Sequence, residues 1–233
     1  QPDILNFIIN KKNYYDFLKK NNFPVYPSLY YNLNTHNKRE CNSIYEKIIK
    51  QGWKKIIIKP EFAGGGGGST YICDVTKNDV KKTLNSLYDE NYPRVIIQKF
   101  NKDFANFYEL KTYWYNNKYQ YSVGIIINPD SLGKYFDTLQ LDYPENEGGT
   151  IEMKLVNKLK KMGKEILEKI PYDSRFLTRI DFACCLDNKK VCRDYYVNEI
   201  EQNPNLLPDD TKYPVIEKFS KHIMKNIFVD KTK

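Results

Sequence analysis

What is missing from this chain narrows it first. Of 233 residues only five are cysteine: Cys41, Cys73, Cys184, Cys185 and Cys192. None stand in CxxC spacing, and no Cys/His cluster has metal-ligand spacing, which excludes a zinc finger and a dithiol redox motif. Adjacent Cys184 and Cys185 in a strand would face opposite ways and cannot readily pair. A reducing, cytoplasmic location is the expectation. The only histidines, His36 and His222, lie near no other ligand-type residues in the sequence and read as surface or packing residues. No apolar run is long enough to span a bilayer and no signal peptide opens the chain, so no membrane partner is expected.

Charge and aromatic content are plentiful. Lys and Arg number 37 against 29 acidic residues, for a formal net charge of +8. Such a surplus favours anionic partners. The lysines are spread along the whole chain without an Arg-rich stripe, which weighs against nucleic acid. Twenty Tyr and 12 Phe exclude a disordered chain. The length suits one substantial core, or two small lobes that share one.

Apolar spacing predicts an α+β chain. Helices are expected over 11–21, 43–51, 76–89, 151–170 and 215–227. Gly52 would stop the second helix and Thr76 would cap the third. Strands are expected over 54–59, 71–74 and 94–98, with 23–27 starting an extended run. Ile56, Ile57 and Ile58 read as a strand buried on both faces. A hairpin, 109–115 and 119–127, turns at Asn116-Asn117-Lys118, and a second turns at 187–190. A long polar connection covers 128–149.

Glycine is also thin, 11 in all, yet five form one run, Gly64 to Gly68, followed by Ser69-Thr70. Glycines let backbone approach a ligand closely, and a run of free N–H groups can cradle phosphates. The run follows the strand ending in Lys59-Pro60, which would bring a point charge to those phosphates. It is neither a Walker A loop nor a spaced dinucleotide fingerprint. Near the other end, Arg179-Ile180-Asp181-Phe182 precedes Asn198-Glu199-Ile200-Glu201-Gln202-Asn203-Pro204-Asn205 across the second hairpin. Asp181 would face the start of the acidic segment, with Glu199 and Glu201 on one side of the strand. Carboxylates converging this way repel unless a cation sits among them, and hard oxygen ligands suit Mg²⁺ shared with phosphates. Glycine loop, lysines and acids together read as an ATP site.

These motifs resemble the ATP-grasp superfamily, close to its D-alanine–D-alanine ligase and carboxylate–amine ligase branch, over roughly residues 10–227. The resemblance implies two α+β lobes gripping ATP between antiparallel sheets. The first lobe would be 1–100, with the glycine-rich loop 64–70 and a hinge strand 95–100. The second would be 101–233, with the metal-binding hairpin 177–205. Lys11 and Lys59 match the family's phosphate-binding lysines. Gly65, Gly66, Gly67 and Ser69 match its phosphate loop, and Gln98, Lys99 and Phe100 its adenine-reading hinge. Glu109 matches an acid near the ribose or phosphates. Lys111 stands where relatives often have Arg, and with Arg179 it would be catalytic. Asp181 and Glu199 match metal ligands. Glu201 stands where the family has Asn, which adds a charge to the metal site or brings in Asn203. The family's separate N-terminal domain is expected to be absent. Implied ligands are ATP with Mg²⁺ or Mn²⁺, and small-molecule or peptide carboxylate and amine substrates joined through an acyl phosphate. Three alternatives share the scaffold: a kinase of a small phosphorylated substrate, a peptide-tail amino-acid ligase, and an inactive nucleotide-binding module.

Overall fold

A computed structural model describes residues 6–7, 9–62, 70–100, 107–127, 140–145, 149–171, 177–187, 189, 191–202, 217, 220–221 and 224. Its elements, in chain order, are α1 (Lys11–Lys20), β1 (Ser28–Asn32), α2 (Lys38–Lys50), β2 (Lys55–Pro60), β3 (Tyr71–Asp74), α3 (Lys77–Asp89) and β4 (Arg94–Lys99). Then follow β5 (Phe107–Tyr115), β6 (Lys118–Ile127), β7 (Gln140–Asp142), α4 (Met153–Lys169), β8 (Leu177–Leu186) and β9 (Cys192–Gln202). The strands form a four-stranded sheet, β1-β4-β2-β3, and a five-stranded sheet, β7-β6-β5-β8-β9. Every pairing within them is antiparallel, so the α+β expectation holds.

The four-stranded sheet is covered on one face. Ile56, Ile58, Val95 and Ile97 are buried against Ile44 and Ile48 of α2 and Val80, Leu84 and Leu87 of α3. Each such side chain contributes about 1.5–3 kcal/mol on full burial. Burial along β2 alternates, with Ile57 and Lys59 less buried than Ile56 and Ile58. β2 is apolar on both faces, as expected, but only the face with Ile56 and Ile58 is fully buried. The period of two turns Ile57 and Lys59 away from the helices, toward the second sheet.

Local signals explain where elements begin. Helix α2 starts at Lys38, five residues before the expected 43, because Asn37 Oδ1 accepts from the backbone N–H groups of Arg39 and Glu40. That cap satisfies donors the helix itself cannot. Gly52 ends α2 at φ +68, as expected. Thr76 Oγ1 accepts from Asp79 N at 3.1 Å and caps α3. Asn116 and Asn117, at φ 50 and 57, make the tight turn between β5 and β6. The extended run became edge strand β1, and β7 lies inside the expected 128–149 connection. The glycine run, the 101–106 loop and most of the last expected helix lie outside the described residues. Of that helix, 217, 220, 221 and 224 are described and helical.

Helix α1 comes before the four-stranded sheet in the chain but packs on the five-stranded one. Phe7, Tyr14, Tyr15, Leu18 and Phe23 share a core with Tyr108, Leu110, Phe182 and Ile200 and with Leu159 and Ile166 of α4. Val197 N–H donates to Pro24 O at 2.8 Å, and Val25 bridges Val197 in parallel. Gly163 lets α4 lie against Trp114: a Cβ there would stand 2.7 Å from the indole. Mid-helix glycine costs about 1 kcal/mol in propensity, which close packing offsets. Among the described residues no helix is long and apolar enough to cross a membrane.

Candidate functional site

One face of the five-stranded sheet rests on α1 and α4. The opposite face carries charge. Strand period places Glu109 and Lys111 of β5, Arg179 and Asp181 of β8, and Glu199 and Glu201 of β9 on it together. Register fixes who meets whom: Lys111 lies opposite Asp181, Asp181 opposite Glu199, and Arg179 opposite Glu201. Between Asp181/Glu199 and Phe182/Val197 the register slips by one residue, Asn198. Bulges of this kind re-aim side chains beside functional sites. Asn198 Nδ2 donates to Glu109 Oε1 at 2.8 Å, and its carbonyl accepts from Tyr15 OH at 2.8 Å. The bulge thus ties α1, β5 and β9 at one point.

Asp181 is fully buried. Its Oδ1 accepts from Arg179 Nε at 2.7 Å, and its Oδ2 from Arg179 Nη2 at 2.8 Å and Lys111 Nζ at 2.6 Å. Lys111 Nζ also lies 2.7 Å from Glu109 Oε2, and Arg179 Nη2 lies 2.5 Å from Glu201 Oε2. Burial opposes the charge on Asp181, but Lys111 and Arg179 outweigh it and hold its pKa below the usual 3.8. Burial likewise works against Lys111 and Arg179, and their acidic partners overcome it and raise both. For Glu201 burial prevails over Arg179 and raises its pKa.

Two lysines arrive from outside this sheet. Lys11 is the first residue of α1, set there by Asn10, whose Oδ1 accepts from Lys12 N at 3.0 Å. Its Nζ lies 3.3 Å from Glu199 Oε1. Lys59 comes from β2, is partly exposed, and faces Glu199 and Glu109. Burial lowers the pKa of both lysines, with Glu199 opposing. Beside the charges, Ile57 and Phe100 of the first lobe meet Tyr26, Ala183 and Tyr196 in an apolar cluster that spans both sheets. The Tyr26 and Tyr196 rings pack edge to face, 4.9 Å apart.

The expected residues divide as follows. Lys11, Glu109, Lys111, Arg179, Asp181, Glu199 and Glu201 are brought together, with Lys59 close by. Gln98 is buried and donates to Ser28 Oγ at 2.9 Å. Lys99 is exposed and pairs with Ile56 of β2, while β1 on the other side of β4 begins opposite Gln98. Phe100 N–H donates to Lys55 O at 2.8 Å, while its ring joins the apolar cluster. Gly65, Gly66, Gly67, Ser69 and Asn203 lie outside the described residues. Asn198, Tyr15, Tyr26, Ile57 and Tyr196 were not foreseen. Asn198 adjoins Glu199 in sequence, but nothing linear marks it as a bulge.

Neither a family model nor a curated protein matches the sequence. Solved structures do. D-alanyl-alanine synthetase A from Vibrio cholerae superposes at TM-score 0.65 and 16% identity, over 94% of this chain and 64% of that one. A D-cycloserine synthetase gives 0.66 and 13%, over 96% and 72%. The biotin carboxylase domain of Hydrogenobacter thermophilus 2-oxoglutarate carboxylase, solved with MgADP and bicarbonate, gives 0.64 and 13%, over 88% and 42%. The chain has the ATP-grasp fold. It spans less than two thirds of the Vibrio synthetase. The charged face and the apolar cluster lie between the two sheets, with Lys59 of β2 facing Glu199 and Glu109.

Proposed function

We propose that this chain catalyses the ATP-dependent joining of a carboxylate to an amine. The observation that carries the reading is the charge balance of the cleft. Four acids, Glu109, Asp181, Glu199 and Glu201, are interlocked with or face four bases, Lys11, Lys59, Lys111 and Arg179. Among the described residues no three Asp, Glu, His or Cys side chains gather around one point. The acids are held apart by cations.

Such a face suits a ligand that carries both signs. A bare cation would compete with Lys11, Lys111 and Arg179 for the carboxylates, and a bare polyphosphate would compete with the carboxylates for the cations. Mg²⁺ with a triphosphate offers each set an opposite charge, and its oxygen chemistry fits these donors. Glu199 and Glu201 would hold the metal, with Asn203 as a further ligand, and Asp181, whose oxygens Arg179 and Lys111 occupy, would hold those cations beside it. Lys11, Lys59 and the 64–70 loop would hold phosphates. Tyr26, Ile57, Phe100, Ala183 and Tyr196 would enclose the base, with the Lys99 backbone at its edge.

When bound, Mg-ATP supplies the γ-phosphoryl group that turns a carboxylate into an acyl phosphate, from which an amine displaces phosphate. The chain's own residues do the rest. Arg179, anchored on Asp181, presents a fixed cation to oxygen charge as it develops. Lys111 keeps Glu109 and Asp181 in place. Asn198 orients Glu109 through its other oxygen. Two sheets closing on the site exclude water, which would otherwise consume the activated carboxylate.

The test is ADP release across a panel of carboxylates with hydroxylamine as a general amine. The reading expects hydroxamate in amounts equal to ADP, from at least one carboxylate, and none from Glu199→Gln. A stable phosphoester without hydroxamate would overturn it in favour of a kinase.

A further inference from the structure

On the helix-covered side of the four-stranded sheet, beside Tyr31 and Cys41, His36 sits at the centre of a second cluster. Its Nε2 lies 2.7 Å from Asn85 Oδ1 on α3. With Nε2–H donated to that carbonyl, Nδ1 is left as an acceptor. Nδ1 lies 3.4 Å from Cys41 Sγ and 3.0 Å from Tyr31 OH. Thiol, imidazole and amide therefore stand in the order of nucleophile, base and orienting group. Cys41 also lines a cavity of about 130 Å³ whose other walls include Lys38, Lys77 and Lys81. All three lysines are exposed, as is Asn85. Sequence alone read His36 as a surface or packing residue because its partners come from α2, α3 and β1.

We propose that Cys41 is the nucleophile of a second reactive site, served by His36 and Asn85, that takes a small electrophile carrying a negative charge. The lysines around the mouth select the charge. In the step itself, His36 Nδ1 takes the thiol proton as Sγ bonds to the electrophilic atom. The leaving group departs with the electron pair of the bond it breaks. Burial holds the Cys41 thiol above its usual pKa, so the proton must be removed by a base already in contact. Burial also raises the Tyr31 phenol, so Tyr31 keeps its own proton and shares Nδ1 with the thiol as a second hydrogen-bond donor.

The probe pair is iodoacetate and iodoacetamide, applied to the native full chain, with each cysteine followed by peptide mass. A thiolate without cationic neighbours prefers the uncharged reagent. Here Cys41 is expected to react faster with iodoacetate than with iodoacetamide. It should also outrun Cys73 and Cys192, which are less buried. His36→Gln should slow carboxymethylation of Cys41 by about a hundredfold or more, the low end of what a general base contributes. If His36→Gln fails to fold, exposed Asn85→Ala carries the same expectation in smaller degree. Replacing Lys38, Lys77 and Lys81 together by Ala should lower the iodoacetate-to-iodoacetamide ratio by roughly threefold without loss of fold. A native protein in which Cys41 prefers iodoacetamide, or reacts equally in His36→Gln, would overturn the proposal and leave the cluster a packing device.

Discussion

The four-stranded sheet buries Ile56, Ile58, Val95 and Ile97 against two helices and leaves Lys55, Arg94 and Lys99 exposed at its margins. The five-stranded sheet also buries an apolar face, but its other face buries Glu109, Lys111, Arg179 and Asp181. Burying charge is costly, and a buried pair is often no better for stability than an apolar replacement. The first sheet packs its helix-covered face from apolar side chains alone. The charges on the second are therefore best understood through what they bind. They also make the two sheets respond differently to mutation.

Asp181→Asn should give the largest effect, since it strands two buried cations at once. A loss of about 3 kcal/mol in denaturant-measured stability is expected, the size seen when one partner of a buried pair is removed. ADP release should vanish with it. The wild-type contribution has a defined pH window. Because the folded pKa lies below 3.8, the stabilisation is present above that value and is lost as the pH falls through the folded one. A melt at pH 7 unchanged by Asp181→Asn would erase the contrast between the sheets.

Glu199→Gln should separate function from stability. Its side chain keeps about a third of its exposure and pairs with Lys11 at 3.3 Å, so stability should move by less than about 1 kcal/mol. Hydroxamate formation should nonetheless be lost. Lys59→Met should weaken nucleotide binding by roughly tenfold to a hundredfold, the worth of a charged hydrogen bond, with little change in the melt. In the wild type, nucleotide affinity should fall as the pH rises toward 10.5, earlier than for an ordinary lysine, because burial lowers the pKa of Lys59. Calorimetric titration across that range checks it.

The smallest effect belongs to Glu61, at the rim of the four-stranded sheet. Its carboxylate is fully buried, neither oxygen has a well-formed hydrogen bond among the described residues, and Arg94 Nη1 stands 3.6 Å away, with Asn10 also near. Burial raises its pKa above 4.5 despite Arg94. Between 4.5 and the raised value the folded chain binds the extra proton, so stability falls as the pH rises through that interval. Glu61→Gln should flatten this slope, measured by melts at several pH values.

Much of this contrast was legible in the sequence, and for physical reasons. Strand period and turn residues placed β2, β3, β5 and β6 to within a residue or two, and asparagine pairs marked a turn. Asp181, Glu199 and Glu201 could be put on one face because hairpin geometry is local. What escaped depends on surfaces meeting. Ile57 looked like core until the period of β2 turned it toward Ala183 and Tyr196. Asn198 became a site residue only through a bulge that the register of β8 and β9 imposes. Helix α1 belongs with the five-stranded sheet through Tyr14, Tyr15 and Leu18, contacts no linear spacing encodes.

The most direct test of the charged face as a nucleotide and metal site is a calorimetric titration with ATP, with Mg²⁺, and with both. The charge balance predicts weak binding of either alone and binding at least about tenfold tighter for the pair. It also predicts that Glu199→Gln removes the gain from Mg²⁺ while leaving ATP alone unaffected. Equal affinity for ATP with and without Mg²⁺, unchanged by Glu199→Gln, would contradict it.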